Sequence, residues 1–385
     1  MSRLSAFVQR TARPEAAGVA RAVIGVAAIL KALERAPVLD RLADPAVVRV
    51  PYVVGQPSIA DLPAAVVLAI WIGLGLAFAA GTAARVTGAA LTALLVTVLL
   101  SDQQLYSNHL YLLAWSIGLL TLADSGAALS VDRLRGRGRQ RIPEWPLWLL
   151  RLQVSVVYLF AGISKVGATY LSGTVVALSL RDEGWLAVPA GWRTFEPMAI
   201  VSMLAILAEI GLAIGLWLPR WRRTAFVVGF LMHLSIALWF DPTVPLLVFA
   251  VIALAPYVLF LDLEPRPLIV VFDDSCGFCT MWVRWFRRLA WLRFLVFVPG
   301  SDGAELDRLQ VPRADADRAL QLIRDGRRTQ GFDAVVGVLE HMPISFLWAP
   351  LLRLWPIVTI GRRAYARVAA RRQCSITPGG VTPTG

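Results

Sequence analysis

The sequence predicts a multi-pass α-helical membrane bundle of about eight spans, followed by a small α/β domain. Hydrophobic residues make up 57% of the 385 residues and charged residues only 17%, which is more apolar than soluble globular proteins usually are. Apolar runs that approach the ~20 residues needed by a spanning helix recur through the first two thirds of the chain. After Pro265 and Pro267 these runs stop, and shorter strand-length and helix-length segments follow.

Eight apolar segments emerge as candidate spans when the chain is read in windows of about 19 residues. The candidates are Gly18–Leu33, Leu62–Ala80, Thr87–Leu100, His109–Leu122, Leu147–Ile163, Ala199–Leu218, Thr224–Phe240 and Val244–Leu259. The first of them is the weakest, because it is short and is interrupted by Arg21 and Lys31.

Arginines in the loops predict the orientation of the spans. They cluster before the first span, between Arg133 and Arg141, and between Arg220 and Arg223, whereas residues 101–108 and 241–244 contain no basic residue. Basic loops stay in the cytoplasm, so we expect a plasma-membrane protein with a cytoplasmic N-terminus. The basic residues that this topology places outside are Lys31, Arg35, Arg41 and Arg49. An even number of spans returns the chain to the cytoplasm, where we expect the C-terminal domain.

The net charge of +12 is explained by this topology rather than by nucleic-acid binding. The arginines lie between apolar runs, and they do not form the basic stripe interleaved with aromatics that a nucleic-acid-binding surface shows. We therefore expect membrane lipid as a partner and no nucleic acid.

The segment after Pro267 contains short elements in a recognisable order. They are a strand at Leu268–Phe272, a helix at Cys279–Leu289, a strand at Arg293–Val298, a hairpin formed by Leu320–Arg324 and Thr329–Phe332, and helices at Ala334–His341 and Tyr365–Arg372. The hairpin is predicted from Asp325-Gly326, a strong turn signal. This order of strand, helix, strand, hairpin and helix is typical of a thioredoxin-like domain.

All three cysteines, Cys276, Cys279 and Cys374, lie in this last third of the chain. In a reducing cytoplasm a close pair is more often catalytic or metal-binding than structural. At a strand-to-helix junction, Cys276 would meet unpaired backbone N–H groups and the positive end of the helix dipole, which lower a thiol pKa. Cys279, one turn later, could then resolve a mixed disulfide. Asp273 opposes thiolate formation if it is ionised nearby, or else relays protons.

Two other interpretations of the cysteine pair are open. Cys276, Cys279, His341 and Cys374 could form a Cys3His zinc site, although their spacing is irregular and there is no second close pair. Alternatively, the pair could consist of buried structural thiols. The redox interpretation is favoured, and we predict no bound metal.

The run VFDDSCGFC at 271–279, followed by FVP at 297–299, GFDAV at 331–335 and YARVA at 365–369, resembles the DCC family of thiol–disulfide oxidoreductases. That family opens with an apolar strand and Tyr-Asp-Gly-x-Cys-x-x-Cys. Phe272 and Asp274 replace its Tyr and Gly, so Asp274 must accept the backbone conformation that glycine has there. The resemblance covers residues 267–375. It implies a thioredoxin-like fold and a protein thiol or disulfide as the partner.

Four ionisable side chains within the spans are candidate functional residues, because charged groups in a membrane are costly. They are His109, Lys165, Glu209 and His233. Lys165 is one of only two lysines, and an amine can lose its proton where a guanidinium cannot. The predicted topology places His109 and Lys165 at the outer face and His233 near mid-membrane.

Each of these four residues also has a purely structural interpretation. Lys165 at a span end could snorkel to the interface, and His109 could be an interfacial polar residue. His233 could hydrogen-bond a neighbouring helix. Glu209 could have no role beyond an ion pair with an arginine or a histidine.

The segments SNHLYL at 107–112, LSVD at 129–132 and PLW at 146–148 are similar to the HTTM family, whose best-known relatives are the vitamin K-dependent gamma-carboxylases. VYLFAGISK at 157–165 looks like the carboxylase segment that bears the catalytic-base lysine, which falls on Lys165. The resemblance covers residues 15–260. It implies functional roles for Asn108, His109 and His233, with Asn108 binding the cofactor, and it implies a quinone as that cofactor. The chain lacks the large non-cytoplasmic domain of the carboxylases, so a quinone or lipid substrate is favoured over protein glutamate.

Three functional hypotheses result. The leading one is a membrane-anchored thiol–disulfide oxidoreductase of the protein disulfide reductase type, linked to quinone chemistry in the membrane domain. The second is a non-catalytic membrane scaffold with a zinc-binding tail. The third is a quinol-dependent carboxylase-like or epoxidase-like membrane enzyme, with the tail as an accessory.

Overall fold

The computed structural model describes residues 3–52, 58–180, 188–192, 194–240, 246–261, 268–289, 295–324, 326–342, 345 and 348–371. The chain divides into two compact units, Met1–Leu263 and Glu264–Gly385. The first unit is helical and rich in apolar residues, and the second is built around a four-stranded sheet.

Helices dominate the first unit. The α-helices are α1 (Arg3–Val8), α2 (Glu15–Ala43), α3 (Ala64–Ala80), α4 (Ala84–Ser101), α5 (Asn108–Leu122), α6 (Trp145–Ser164), α7 (Ala168–Leu171), α8 (Thr174–Ser179), α9 (Phe195–Gly215), α10 (Arg222–Trp239), α11 (Leu246–Leu254) and α12 (Val258–Leu261). Short 3₁₀ turns lie at Ile59–Asp61, Gln103–Leu105, Ser125–Ala127, Ala190–Trp192 and Ala255–Tyr257, and a π turn lies at Arg133–Arg137. Strands β1 (Thr11–Ala12) and β2 (Ile142–Pro143) form an antiparallel pair.

Every predicted span overlaps a helix of this unit, and the eighth is divided between α11 and α12. Among the described residues, four helices are long and apolar enough to cross a membrane. These are Glu15–Ala43, Ala84–Ser101, Trp145–Ser164 and Glu196–Gly215. Shorter apolar helices lie at Ala64–Ala80, Asn108–Leu122 and Leu246–Leu261. The total of eight spans stays a prediction.

Helix α2 contains the weakest predicted span. It has 29 residues, which is much longer than the 16-residue run Gly18–Leu33. Its charged residues Arg21 and Lys31 are fully buried, because α2 packs against α3, α5, α11 and α12. Lys31 Nζ lies 2.5 Å from Oε1 of Glu34, and Arg35 Nε lies 3.6 Å from the same oxygen. Lys31 and Arg35 are therefore paired within a helix and are not loop charges of the kind that set orientation.

Arg21 ties α2 to two other segments. Its Nη1 donates to the carbonyls of Phe78 and Ala79 in the last turn of α3, each at 2.6 Å, and its Nη2 donates to the carbonyl of Leu129 at 2.6 Å. The last carbonyls of a helix have no partner within it. The guanidinium supplies a donor to Ala79 and a second one to Phe78, which also accepts from the backbone N–H of Gly81 at 3.0 Å. One turn later, a Cβ on Gly25 would lie 2.7 Å from Ala79, and only glycine permits this close approach of α2 and α3.

An apolar core of this unit joins α6, α9, α10 and the chain around α12. Its buried members are Val154, Tyr158, Leu212, Ala213, Leu216, Ala225, Tyr257 and Phe260. Two tyrosines lie in this otherwise hydrocarbon core, and a buried hydroxyl needs a hydrogen-bond partner. Those partners define one of the candidate sites below.

The second unit contains the predicted elements in the predicted order. They are β3 (Leu268–Phe272), α13 (Gly277–Leu289), β4 (Leu295–Pro299), α14 (Gly303–Arg308), α15 (Arg313–Arg318), β5 (Gln321–Arg324), β6 (Arg327–Gln330), α16 (Phe332–Leu339), a 3₁₀ turn at Ala349–Arg353 and α17 (Ile357–Arg371). The short helices α14 and α15 were not predicted, and α17 begins well before the predicted Tyr365. Arg293, Asp325 and Arg372, which fell within predicted elements, lie outside the described residues.

The sheet has the strand order β4-β3-β5-β6, with β3 parallel to β4 and antiparallel to β5. β3 is buried on both faces, which explains its continuous apolar run LIVVF. Leu268, Val270 and Phe272 face α13 and α16, and Val271 packs on the opposite face with Val298. Because parallel strands end at the same edge of a sheet, the loops that follow β3 and β4 meet there.

Candidate functional site

The cysteine pair lies at the junction between β3 and α13. β3 ends at Phe272, α13 begins at Gly277, and Cys276 directly precedes the helix. Neither Cys276 nor Cys279 is in a disulfide. Cys276 is only 2% exposed, whereas Cys279 is partly buried against the apolar core of the sheet. Cys276 therefore lies at a helix N-terminus, as predicted, and it is buried there.

Asp273 is part of the turn that presents Cys276. It is 3% exposed, and its Oδ1 accepts hydrogen bonds from the backbone N–H of Ser275 at 3.0 Å and from the Ser275 hydroxyl at 2.6 Å. These bonds fix the loop just before the cysteine. A role for Asp273 in proton transfer stays a prediction.

Asp274 joins the two loops at this edge of the sheet. It accepts hydrogen bonds from the backbone N–H of Ser301 at 2.9 Å and from the Ser301 hydroxyl at 2.6 Å. Burial raises the pKa of Asp274, but the Ser301 bonds outweigh it and hold that pKa below its ordinary value. Asp274 is not among the residues with positive φ. The position where the DCC family has glycine is thus occupied by an aspartate without left-handed backbone strain.

The zinc interpretation requires His341 as a ligand, and the structure engages that side chain elsewhere. Its Nδ1 donates to the carbonyl of Gly337 at 2.7 Å, which leaves Nε2 to accept from the Arg324 guanidinium at 3.1 Å. Cys374 lies outside the described residues. Within the part of the chain that is described, no group of three or more His, Cys, Asp or Glu side chains is arranged to hold a metal ion.

In the first unit, Lys165 is paired with Glu209. Lys165 directly follows α6, and its Nζ lies 2.7 and 2.8 Å from the two carboxylate oxygens of Glu209 on α9. A third bond, at 3.1 Å, goes to the carbonyl of Ala161. The expectation that Glu209 pairs with an arginine or a histidine was wrong. Its partner is the lysine. Gly162 has no side chain, so α6 approaches α9 closely enough for the Lys165 and Glu209 side chains to meet.

His233 is the end of a chain of hydrogen bonds that begins at Tyr257. The Tyr257 hydroxyl donates to the Tyr158 hydroxyl at 2.8 Å, and the Tyr158 hydroxyl lies 2.8 Å from Nε2 of His233. Since Tyr158 already accepts from Tyr257, its own proton points to His233, and the neutral imidazole then carries its proton on Nδ1. Nδ1 is buried and, within the described chain, has no hydrogen-bond partner. Gly229 makes room for this arrangement, because a Cβ there would lie 2.3 Å from the Tyr257 hydroxyl.

Phe249 connects the two membrane histidines. His109 stacks on the Phe249 ring at a centroid distance of 4.2 Å, and His233 meets the same ring edge-on at 5.6 Å. The structure thus brings His109 and His233 together. Lys165 hydrogen-bonds Ala161 and Glu209, and its Nζ lies 5.9 Å from the centre of the Tyr170 ring. Asn108 is exposed at the start of α5, where its side-chain oxygen accepts from the Tyr106 hydroxyl at 3.1 Å.

Sequence reasoning missed Tyr158, Tyr257 and Phe249. Tyr158 lies in α6 two helical turns before Lys165, the residue that caps this helix, so the two share a face, which is a signal that could have found Tyr158. Tyr257 and Phe249 have no such signal, because their contacts come from a different part of the chain.

Comparison with known families follows the same division into two units. A model of the HTTM domain matches residues 9–264, two thirds of the chain. The chain belongs to the HTTM family. A model of the DCC1-like thiol-disulfide oxidoreductase matches residues 270–375, so the chain is a membrane protein in which an HTTM domain is followed by a DCC1-like domain. Both predicted resemblances are confirmed. No solved structure matches the chain.

Proposed function

We propose that this protein is a membrane-anchored protein disulfide reductase that works through Cys276 and Cys279 on the cytoplasmic side of the plasma membrane. The observation that carries the proposal is the unbridged cysteine pair at the N-terminus of α13, within a DCC1-like domain. Unpaired N–H groups at a helix start favour an anionic sulfur. The loop is held by Asp273 and Asp274 through Ser275 and Ser301.

The proposed reaction is thiol–disulfide exchange. The Cys276 thiolate attacks one sulfur of a substrate disulfide, forms a mixed disulfide and releases the other sulfur as a thiolate. The Cys279 thiolate then attacks Cys276, which frees the reduced substrate and leaves a Cys276–Cys279 disulfide. The substrate gains two electrons, and a dithiol or a reduced quinone must return them to the cysteine pair.

Attack by Cys276 requires a local opening of the loop. Cys276 is 2% exposed, while Gly277 and Phe278 beside it are exposed. Exposed residues at a helix start move at low energetic cost, so displacement of these two residues would bring a protein disulfide to the sulfur.

The test uses the full-length protein in lipid nanodiscs, with dithiothreitol as electron donor and a disulfide-bonded protein as substrate. Cys276→Ser should lower the rate at least ~100-fold, and Cys279→Ser should accumulate a mixed disulfide that is visible on a non-reducing gel. Cys374→Ser is the matched control and should retain activity. Equal rates in the wild type and Cys276→Ser would reject the proposal. If Cys276→Ser, rather than Cys279→Ser, accumulates the mixed disulfide, then Cys279 is the residue that attacks the substrate.

A second candidate function is a quinone-dependent reaction in the HTTM domain. The specific observation in its favour is the unsatisfied buried Nδ1 of His233 next to Phe249 and His109, because a quinone offers carbonyl oxygens and a flat ring to such a site. A bound quinone would supply two-electron redox chemistry. His233 would donate a hydrogen bond from Nδ1, Asn108 would help hold the ring, and the Lys165–Glu209 ion pair would accept a proton on the Glu209 carboxylate.

The two candidates can be separated by measuring both activities in the same pair of variants. Lys165→Ala should abolish quinone-dependent turnover and leave dithiothreitol-driven disulfide reduction intact. Cys276→Ser should do the opposite. If Lys165→Ala leaves quinone-dependent turnover unchanged, the membrane residues have no such role.

A further inference from the structure

Helix α13 exposes a continuous apolar stripe that starts beside the cysteine pair. Phe278, Met281, Trp282 and Trp285 are 46%, 41%, 45% and 50% exposed. They are spaced i, i+3, i+4 and i+7, so at ~100° per residue they occupy one face of the helix. The core of the sheet takes a different face, through Val283 and Phe286. The stripe is therefore separate from the apolar face with which α13 packs on the sheet.

Soluble proteins seldom expose neighbouring large aromatic side chains, and a contiguous patch of them marks an interaction surface. The rings contact each other along the helix. Phe278 and Trp282 of the stripe are 6.2 Å apart between centroids, and Trp282 is also 5.9 Å from the buried Phe286 of the core face. The patch is thus anchored to the core through Trp282 rather than made of scattered apolar residues.

The charges beside the stripe identify its partner. Helix α13 carries Arg284, Arg287 and Arg288 and no acidic residue. The Arg288 guanidinium lies 5.8 Å from the centre of the Trp285 ring in the stripe, whereas Arg287 lies outside the stripe, 5.5 Å from the ring of Phe297 on β4. Tryptophan and phenylalanine flanked by arginine are the residues with which interfacial helices bind anionic lipid.

We propose that α13 docks on an anionic lipid surface, with Phe278, Met281, Trp282 and Trp285 at the boundary between headgroups and acyl chains. This inference rests on the proposed reductase function for its consequence. Phe278 lies between Cys276 and Cys279, so docking holds the dithiol at the lipid surface. The substrates are then disulfides in membrane-proximal segments of other membrane proteins, or lipid-soluble disulfides, rather than those of freely diffusing proteins.

Spin-label accessibility tests the docking without any thiol activity. The full-length protein with Cys276→Ser, Cys279→Ser and Cys374→Ser receives Trp282→Cys and a nitroxide, in nanodiscs that contain phosphatidylglycerol. We expect the label to be accessible to oxygen and shielded from a water-soluble nickel chelate. Asp317→Cys, at an exposed position of α15, is the matched control and should show the reverse.

Either of two other results would overturn the proposal. Accessibility of the Trp282 label to the nickel chelate would place the stripe in water, and shielding from both reagents would mean that protein covers it. In nanodiscs of phosphatidylcholine alone, the ratio of oxygen to nickel accessibility should fall, because the arginines lose their anionic partners. An unchanged ratio would contradict the electrostatic part of the proposal.

A second measurement links docking to substrate choice in the cysteine-intact protein. Trp282→Ser with Trp285→Ser should change the ratio of rates on a bilayer-anchored and a soluble disulfide by at least ~10-fold, in favour of the soluble one. An unchanged ratio would show that the stripe does not select substrates. If the spin label reports lipid but no variant reduces any disulfide, the docking stands and the reductase function fails.

Discussion

The two units use ionisable and reactive side chains in opposite ways. In the HTTM unit such groups are buried or half-buried and are paired across helices, as in Arg21 with the end of α3 and Lys165 with Glu209. In the DCC1-like unit the reactive pair lies within four residues at one strand-to-helix junction, and most charges around it are exposed. The membrane unit therefore assembles its site by packing, whereas the α/β unit encodes its site locally. Mutations should consequently act on stability in the first unit and on reactivity in the second.

The largest stability effect is expected at Arg21. Arg21→Met keeps the apolar part of the side chain but removes the guanidinium donor from the carbonyls of Ala79, Ser125 and Leu129. The Phe78 carbonyl keeps only the backbone N–H of Gly81. Charge-assisted hydrogen bonds contribute about 1.5–3 kcal/mol each, and loss of a buried network costs about 3–5 kcal/mol. Thermal unfolding of the full-length protein in detergent measures this loss.

The matched control for Arg21 is Arg85→Met, which removes an exposed guanidinium from its ion pair with Asp124, while Asp124 keeps Arg139 as a partner. Exposed pairs contribute about 0–1 kcal/mol, so this variant should unfold close to the wild type. Similar losses in the two variants would break the proposed contrast between buried and exposed charges.

The Lys165–Glu209 pair should show a smaller effect with strong coupling. Lys165→Met or Glu209→Gln alone leaves one ionic partner without its counterion, while the double variant removes both. The side chains are 29% and 11% exposed, so solvent screening reduces the pair's contribution, and we expect a coupling free energy of about 1–2 kcal/mol. A double-mutant cycle on unfolding free energies measures it. Additive losses would mean that the contact does not stabilise the unit.

The hydrogen bonds that link Tyr257, Tyr158 and His233 predict a protonation pattern rather than a loss of stability. Tyr158→Phe removes the donor to Nε2, so the Nδ1–H form of His233 should lose its preference. The protein contains only three histidines, so isotope-labelled histidine gives few nitrogen signals in solid-state NMR. His341, with Nδ1 donating to Gly337, is an internal reference and should not change. An unchanged His233 spectrum in Tyr158→Phe would reject the assigned direction of the chain.

Gly229→Ala tests the same site by steric means. Its new Cβ would lie 2.3 Å from the Tyr257 hydroxyl, so the ring must move and the Tyr257–Tyr158 bond should break. Overpacking of this kind costs about 1–3 kcal/mol. Gly211→Ala on α9 has nothing within 4 Å of its Cβ and is the control. Wild-type stability and an unchanged histidine spectrum in Gly229→Ala would contradict the close approach.

The difference between the units also explains how much the sequence could predict. The cysteine site was predicted because β3, the cysteine pair and α13 are consecutive, and the family motif covers them. The helices of the membrane unit were predicted because hydropathy is a local property. Helix neighbours are not local, so the Lys165–Glu209 pair and the ring of Phe249 between His109 and His233 could not be read from spacing. The first span was underestimated, because a buried helix can carry charges that a lipid-facing helix cannot.

The smallest expected effect is the acid response of Asp274, which would show how weakly the α/β site depends on charge pairing. The Ser301 bonds hold its pKa below the ordinary value, so their contribution to stability is complete above the unfolded-state pKa of ~3.9 and is lost as pH falls through the folded-state pKa. Asp274→Asn lacks this ionisation. The difference in melting temperature between the wild type and Asp274→Asn should therefore be constant near neutral pH and shrink below about pH 4. The effect should be small because Asp274 is exposed and its bonds reach only one neighbouring loop. A difference in melting temperature that instead grows in acid would mean that the carboxylate destabilises this edge of the sheet.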